Sequence, residues 1–213
     1  MWGTLSLGLD DAALELAEEG LRLVAAAERF DSSSLLDLLA AKALAHVHRA
    51  ELDHAREATR RILDVLARSP RPRYFAIVYL GGALETCFAM WEAAATTGGD
   101  AAWASRLCRI IERYARISPP ARARALLWRG CAEWLGGRSQ AAHDAWRRAL
   151  VEADQFSLPY ETARIHYEIG RRLGAADPER HRRLNQAEEF CRLKADAELK
   201  HVMVFGIGKP VVI

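Results

Sequence analysis

The sequence predicts an all-α chain, a solenoid of about nine helices paired into stacked hairpins. Three observations lead there. Strong helix formers dominate: Ala, Leu, Glu and Arg are abundant, and β-branched residues are sparse outside the last dozen positions. Apolar residues recur at three- and four-residue spacing between short clusters of Gly, Pro, Ser and Asp. Small residues recur at a long, near-constant interval: Ala13, Ala55, Ala101, Ala142 and Ala187 are 42, 46, 41 and 45 residues apart. One hairpin of helices cannot bury its apolar face alone, so an interval of that length means that hairpins stack.

Taken in order, residues 1–8 read as the tail of a helix followed by a turn, with Gly3 and Gly8 flanking Leu5 and Leu7. Asp10 and Asp11 then open a helix through Leu14, Ala17, Leu21 and Val24, where carboxylates suit the first turn. Asp31-Ser32-Ser33-Ser34 starts the next, with Leu35, Leu38, Leu39, Ala43, Leu44 and Val47 at helical spacing. A break at 50–52 leads to a helix over 53–67, which Ser69-Pro70-Arg71-Pro72 stops. Residues 73–95 form a long apolar helix whose Gly81-Gly82 pair lets a neighbour approach closely. A turn at 96–100 precedes a helix over 101–117, closed by Ser118-Pro119-Pro120.

The clearest hairpin lies in 121–173: a helix with Trp128 and Gly130, a Gly136-Gly137 turn, and a helix with Ala142, Trp146 and Ala149. Pro159 opens the next helix, Gly174 ends it, and Asp177-Pro178 caps a last helix to about residue 200. The domain therefore spans 1–200, with 201–213 as a tail.

This hairpin resembles the tetratricopeptide repeat (TPR). Leu80-Gly81, Gly130 and Ile169-Gly170 match that family's Leu-Gly feature, and Ala142, Trp146 and Ala149 match its Ala, aromatic, Ala pattern. Arg129 stands where an apolar residue precedes the glycine, Ala43 replaces the glycine of an earlier hairpin, and Thr59 follows Ala55 where an aromatic belongs. The interval exceeds the usual 34 residues and suits HEAT-type repeats, which are the rival. The TPR resemblance implies a right-handed superhelix of hairpins.

Over residues 9–200 the chain is also similar to the C-terminal region of large bacterial signalling proteins. The phrases DDAALELAEEGLRLV, ELDHAREATRRIL, AWRRALVEADQFSLPYETARIHYEIGRRL and DPERHRRLNQAEEFCRL carry this resemblance. In those proteins such a region follows an AAA/STAND-type ATPase module, often beside a nucleotide cyclase or a Ser/Thr kinase domain. The resemblance implies a cytoplasmic interaction or regulatory segment of a longer parent chain, working in signal transduction.

The residues themselves add little chemistry. A net charge of +2 demands neither nucleic acid nor membrane as a partner. Residues 1–50 hold eight acidic and four basic residues, so the +6 surplus of the remainder is mostly arginine. Cys87, Cys108, Cys131 and Cys191 sit apart in helical patterns and read as free thiols. Gly206-Ile207-Gly208-Lys209 lacks the spacing and the Ser/Thr of a phosphate loop. His46 and His48 are about 200° apart on a helix, so the His46, His48, His54 group reads as ordinary histidines and no metal is expected. Arg106, Arg109, Arg113 and Arg116 form a stripe that reads as a solvated helix face.

The expectation is a protein with no enzymatic activity and no cofactor, one that binds a protein or peptide. His48, Arg124, Arg164, Tyr167 and Arg171 are the candidates for the concave face of the solenoid. The Lys/Asn carboxylate clamp of some TPR co-chaperones is not recognisable among them, which disfavours capture of a C-terminal carboxylate. The alternative is the ligand-sensing repeat region of a STAND-type transcription regulator.

Overall fold

In the computed structural model, residue 5 and residues 8–27, 31–68, 76–93 and 98–200 are described. Among them the chain is all-α, with nine helices and no strand: α1 (Asp10–Ala26), α2 (Ser32–His48), α3 (Leu52–Arg68), α4 (Ala76–Ala93), α5 (Gly98–Ile117), α6 (Ala121–Leu135), α7 (Ser139–Gln155), α8 (Pro159–Gly170) and α9 (Pro178–Lys200). The expected stop at 69–72 and the tail 201–213 lie outside the described residues, as do most of residues 1–8. The chain divides into two compact units, with the division between Leu107 and Cys108 inside α5.

In the first unit α2 is the central helix and packs against α1, α3 and α4. Its sequence explains this. Leu36, Leu39, Ala40, Ala41, Ala43, Leu44, Ala45 and Val47 are all buried, and alanines on several faces let three neighbours approach. Helix α3 instead buries one stripe, Ala55, Ala58, Ile62 and Leu66, as expected of an outer helix. Gly81 and Gly82 are buried in α4. Polar ties join α3 to the start of α5. Arg56 reaches the buried Asp100 carboxylate at 3.1 Å, and Arg106 donates to the Leu63 carbonyl oxygen at 3.3 Å. Arg106 thereby leaves the expected solvated stripe, whereas Arg109, Arg113 and Arg116 are exposed.

In the second unit α6 pairs with α7 and α8 with α9, while α8 also touches α6 and α7. Alternate helices also meet, α2 with α4 in the first unit and α6 with α8 in the second. Ala13, Ala55 and Ala142 are fully buried and Ala187 nearly so. Ala101 is only half-buried, and Ala104, three residues on, holds the buried place in α5. The interval is therefore less regular than the alanines suggest.

Three connections close in the same way. After α2, the Glu51 amide donates to His46 O at 2.8 Å and the Ala50 amide to Val47 O at 2.9 Å, with Ala50 left-handed at φ 58°. Gly137-Arg138 and Ser157-Leu158 repeat this geometry after α6 and α7. These are Schellman turns, which satisfy the last carbonyls of each helix. Glycine meets the left-handed requirement at one of the three, and Ala50 and Ser157 adopt it at a cost. Pro159 occupies the first turn of α8, and Asp177 accepts the Glu179 amide at 2.8 Å ahead of α9, both as the sequence predicts.

Candidate functional site

Glu168 is the centre of the most heavily charged part of the second unit. It lies in the last turn of α8 with 1% of its side chain exposed. Arginines stand at four residues before it and at three and four residues after it, the offsets that share a helix face. Arg164 Nε is 3.3 Å from Glu168 Oε1, Arg171 Nε donates to Oε2 at 2.8 Å, and Arg172 Nη1 pairs with the same oxygen. The Cys131 thiol donates to Oε2 from α6 at 3.8 Å. Burial alone would raise this carboxyl, but Arg164, Arg172 and Arg171 together outweigh it and hold it at about 2.

The same arginines lie over aromatic faces. Arg164 sits 5.5 Å from the Trp128 ring centre and 5.9 Å from that of Tyr167. Arg171 covers Tyr167 at 5.9 Å, and Arg172 covers Trp146 at 5.8 Å. Each distance is within the range of a cation–π contact. The result is a layered surface on which one carboxylate fixes three guanidinium groups. Access falls on Arg171, whose side chain is 30% exposed, and on the half-buried Tyr167; Arg164 and Arg172 are 15% and 5% exposed and act as braces.

Three of the five candidate residues, Arg164, Tyr167 and Arg171, therefore come together. Arg124 belongs to the same unit but to a second pair: it bonds the buried Glu161 through Nε at 2.8 Å and lies 5.6 Å from the Tyr160 ring. His48 belongs to the first unit, where its Nδ1 is 2.8 Å from Asp10 Oδ1 and its side chain is 7% exposed. Glu168 and Arg172 were not predicted from sequence, although R-x3-E-x2-R-R is a signal for a caged carboxylate. Nor was His166, whose Nδ1 accepts from Arg183 of α9 at 3.0 Å. Burial, then the charges of Arg183 and Arg182, lower that imidazole to about 4.

Cys87, Cys108 and Cys131 are buried. Among the described helices none is long and apolar enough to cross a membrane. Compared with known proteins, the chain matches no family model, no curated protein and no solved structure.

Proposed function

We propose that the chain is a helical-hairpin scaffold without enzymatic activity, TPR-like in its right-handed stacking, that binds a protein or peptide through the partly exposed side chains at the C-terminal end of α8. The observation that carries this reading is the fixed Arg164, Tyr167, Arg171 surface over Glu168. A guanidinium already held by a carboxylate and an aromatic ring loses little further freedom when a partner docks. Tyr and Arg are also the side chains that carry most binding energy at protein interfaces. Guanidinium groups bond carboxylates well, which favours a segment rich in Asp or Glu. As the resemblance implies, the parent chain would be a bacterial signalling protein with an ATPase, cyclase or kinase domain, and the segment would work in the cytoplasm.

The test is fluorescence anisotropy with matched sets of acidic and neutral peptides, using the full chain. Acidic peptides should bind, and Arg171→Ala or Tyr167→Ala should weaken them about tenfold or more with the fold retained, since each is partly exposed. Equal binding by wild type and both variants would remove this surface from the reading.

A further inference from the structure

We propose that His46, Glu51 and His54 form a binding site for one divalent transition-metal ion of the zinc class, at the corner where α2 turns into α3. One ligand atom from each of the three lies within 4.8 Å of the others. Two imidazoles and a carboxylate make a donor set that zinc accepts, with water completing the coordination.

The corner is built by the main chain. The Schellman turn after α2 bonds the Glu51 amide to the His46 carbonyl oxygen, which holds the two residues together. The Glu51 carbonyl oxygen then accepts the Ala55 amide at 3.1 Å, which starts α3 and sets His54 in its first turn, three residues beyond Glu51. The His46 and His54 rings stack with centres 5.0 Å apart and planes 24° from parallel. Glu51 Oε2 is 2.7 Å from His46 Nδ1, while Glu51 Oε1 takes Arg49 Nε and Nη2 at 2.8 Å each. Arg49 also pairs with Asp11, so its charge is shared between two carboxylates.

His46 is the buried member of the three, with 9% of its side chain exposed. Its Nδ1 faces Glu51 Oε2 at 2.7 Å, so that edge of the ring is the one that shares an ion with the carboxylate, in place of the proton between them.

Around a tetrahedral ion with bonds of about 2.0–2.1 Å, ligand atoms lie roughly 3.4 Å apart, so His46 Nδ1 and Glu51 Oε2, now at 2.7 Å, part slightly while His54 closes in. The movement falls on His54, which is exposed, and on Glu51, which is partly so; His46 stays in place. The histidines thus sort differently from their order in the chain. His48 goes to Asp10, and the ligand that joins His46 and His54 is an acidic residue of the turn.

The test uses the full chain, stripped with chelator and titrated with Co2+ as a coloured probe. One equivalent should bind with the visible absorption of a low-coordinate site, and Zn2+ should displace it. His54→Ala and Glu51→Gln should each weaken binding at least about tenfold with an unchanged far-UV spectrum, and His48→Ala should leave it intact. No uptake by the wild type, or uptake unchanged in His54→Ala, would overturn the site.

Discussion

The Trp146 indole lies in the space that a side chain at position 130 would occupy. A Cβ built on Gly130 would overlap Trp146 Nε1 and Cδ1, and the same nitrogen donates to the Leu127 carbonyl oxygen at 3.2 Å. Trp146 is fully buried, so the ring has no free volume to retreat into. Gly130 and Trp146 therefore define one close contact between α6 and α7.

Gly130→Ala is the sharp test of this contact. In an unhindered helix the change would stabilise the protein by up to about 1 kcal/mol. Here it should destabilise by about 1–3 kcal/mol, because the buried ring must move. Trp146→Ala should cost about 3–5 kcal/mol. Urea unfolding at neutral pH measures both, and a stabilising Gly130→Ala would show that the two helices are not in this contact.

The glycine at 130 and the aromatic at 146 were legible from sequence as hairpin positions, because each keeps the spacing of its own helix, but their contact was not. The Arg164, Tyr167, Arg171 face was legible for the same reason, since local spacing along one helix sets it. Contacts made between helices were not. Arg124 with Glu161, and His166 with Arg183, depend on how two helices are juxtaposed, which no single-helix period encodes. Ala101 was misplaced by three residues against Ala104 because α5 carries alanines at several positions and only packing tells which is inside. His54 was set aside because its approach to His46 depends on the left-handed Ala50, a conformation to which alanine gives no signal.

Glu168→Gln should destabilise the second unit by about 3–5 kcal/mol, because three guanidinium groups lose the anion that compensates them. The wild-type contribution depends on acid. The folded carboxyl titrates near 2 and the unfolded one near 4.5, so the stabilisation is complete above 4.5 and is lost as pH falls from there to 2. Chemical unfolding across that range should show the loss in wild type, with Glu168→Gln showing a shallower slope.

His166 responds in a higher window. Its folded value is about 4 against 6.5 unfolded, so between these the unfolded chain binds more protons. Stability should fall by about 1–2 kcal/mol as pH drops from 6.5 to 4, after allowance for solvent screening. His166→Asn keeps an acceptor for Arg183 but does not titrate. It should flatten the dependence in this window, and an undiminished slope would place the titration elsewhere.

The cysteines give a readout of packing that needs no denaturation curve. Burial, then the nearby Glu112 carboxylate, pushes the Cys108 thiol up to about 12. The thiolate is the reactive form, so at pH 8 only about one Cys108 in ten thousand is competent to react, even before access is considered. Cys87 and Cys131 are fully buried as well. Native protein treated with a disulfide reagent at pH 8 should therefore leave Cys87, Cys108 and Cys131 unmodified, identified by mass spectrometry of digests. All four cysteines of the chain should react in denaturant. Labelling of Cys108 as fast as a free thiol in the native protein would mean that the second half of α5 is not packed as described.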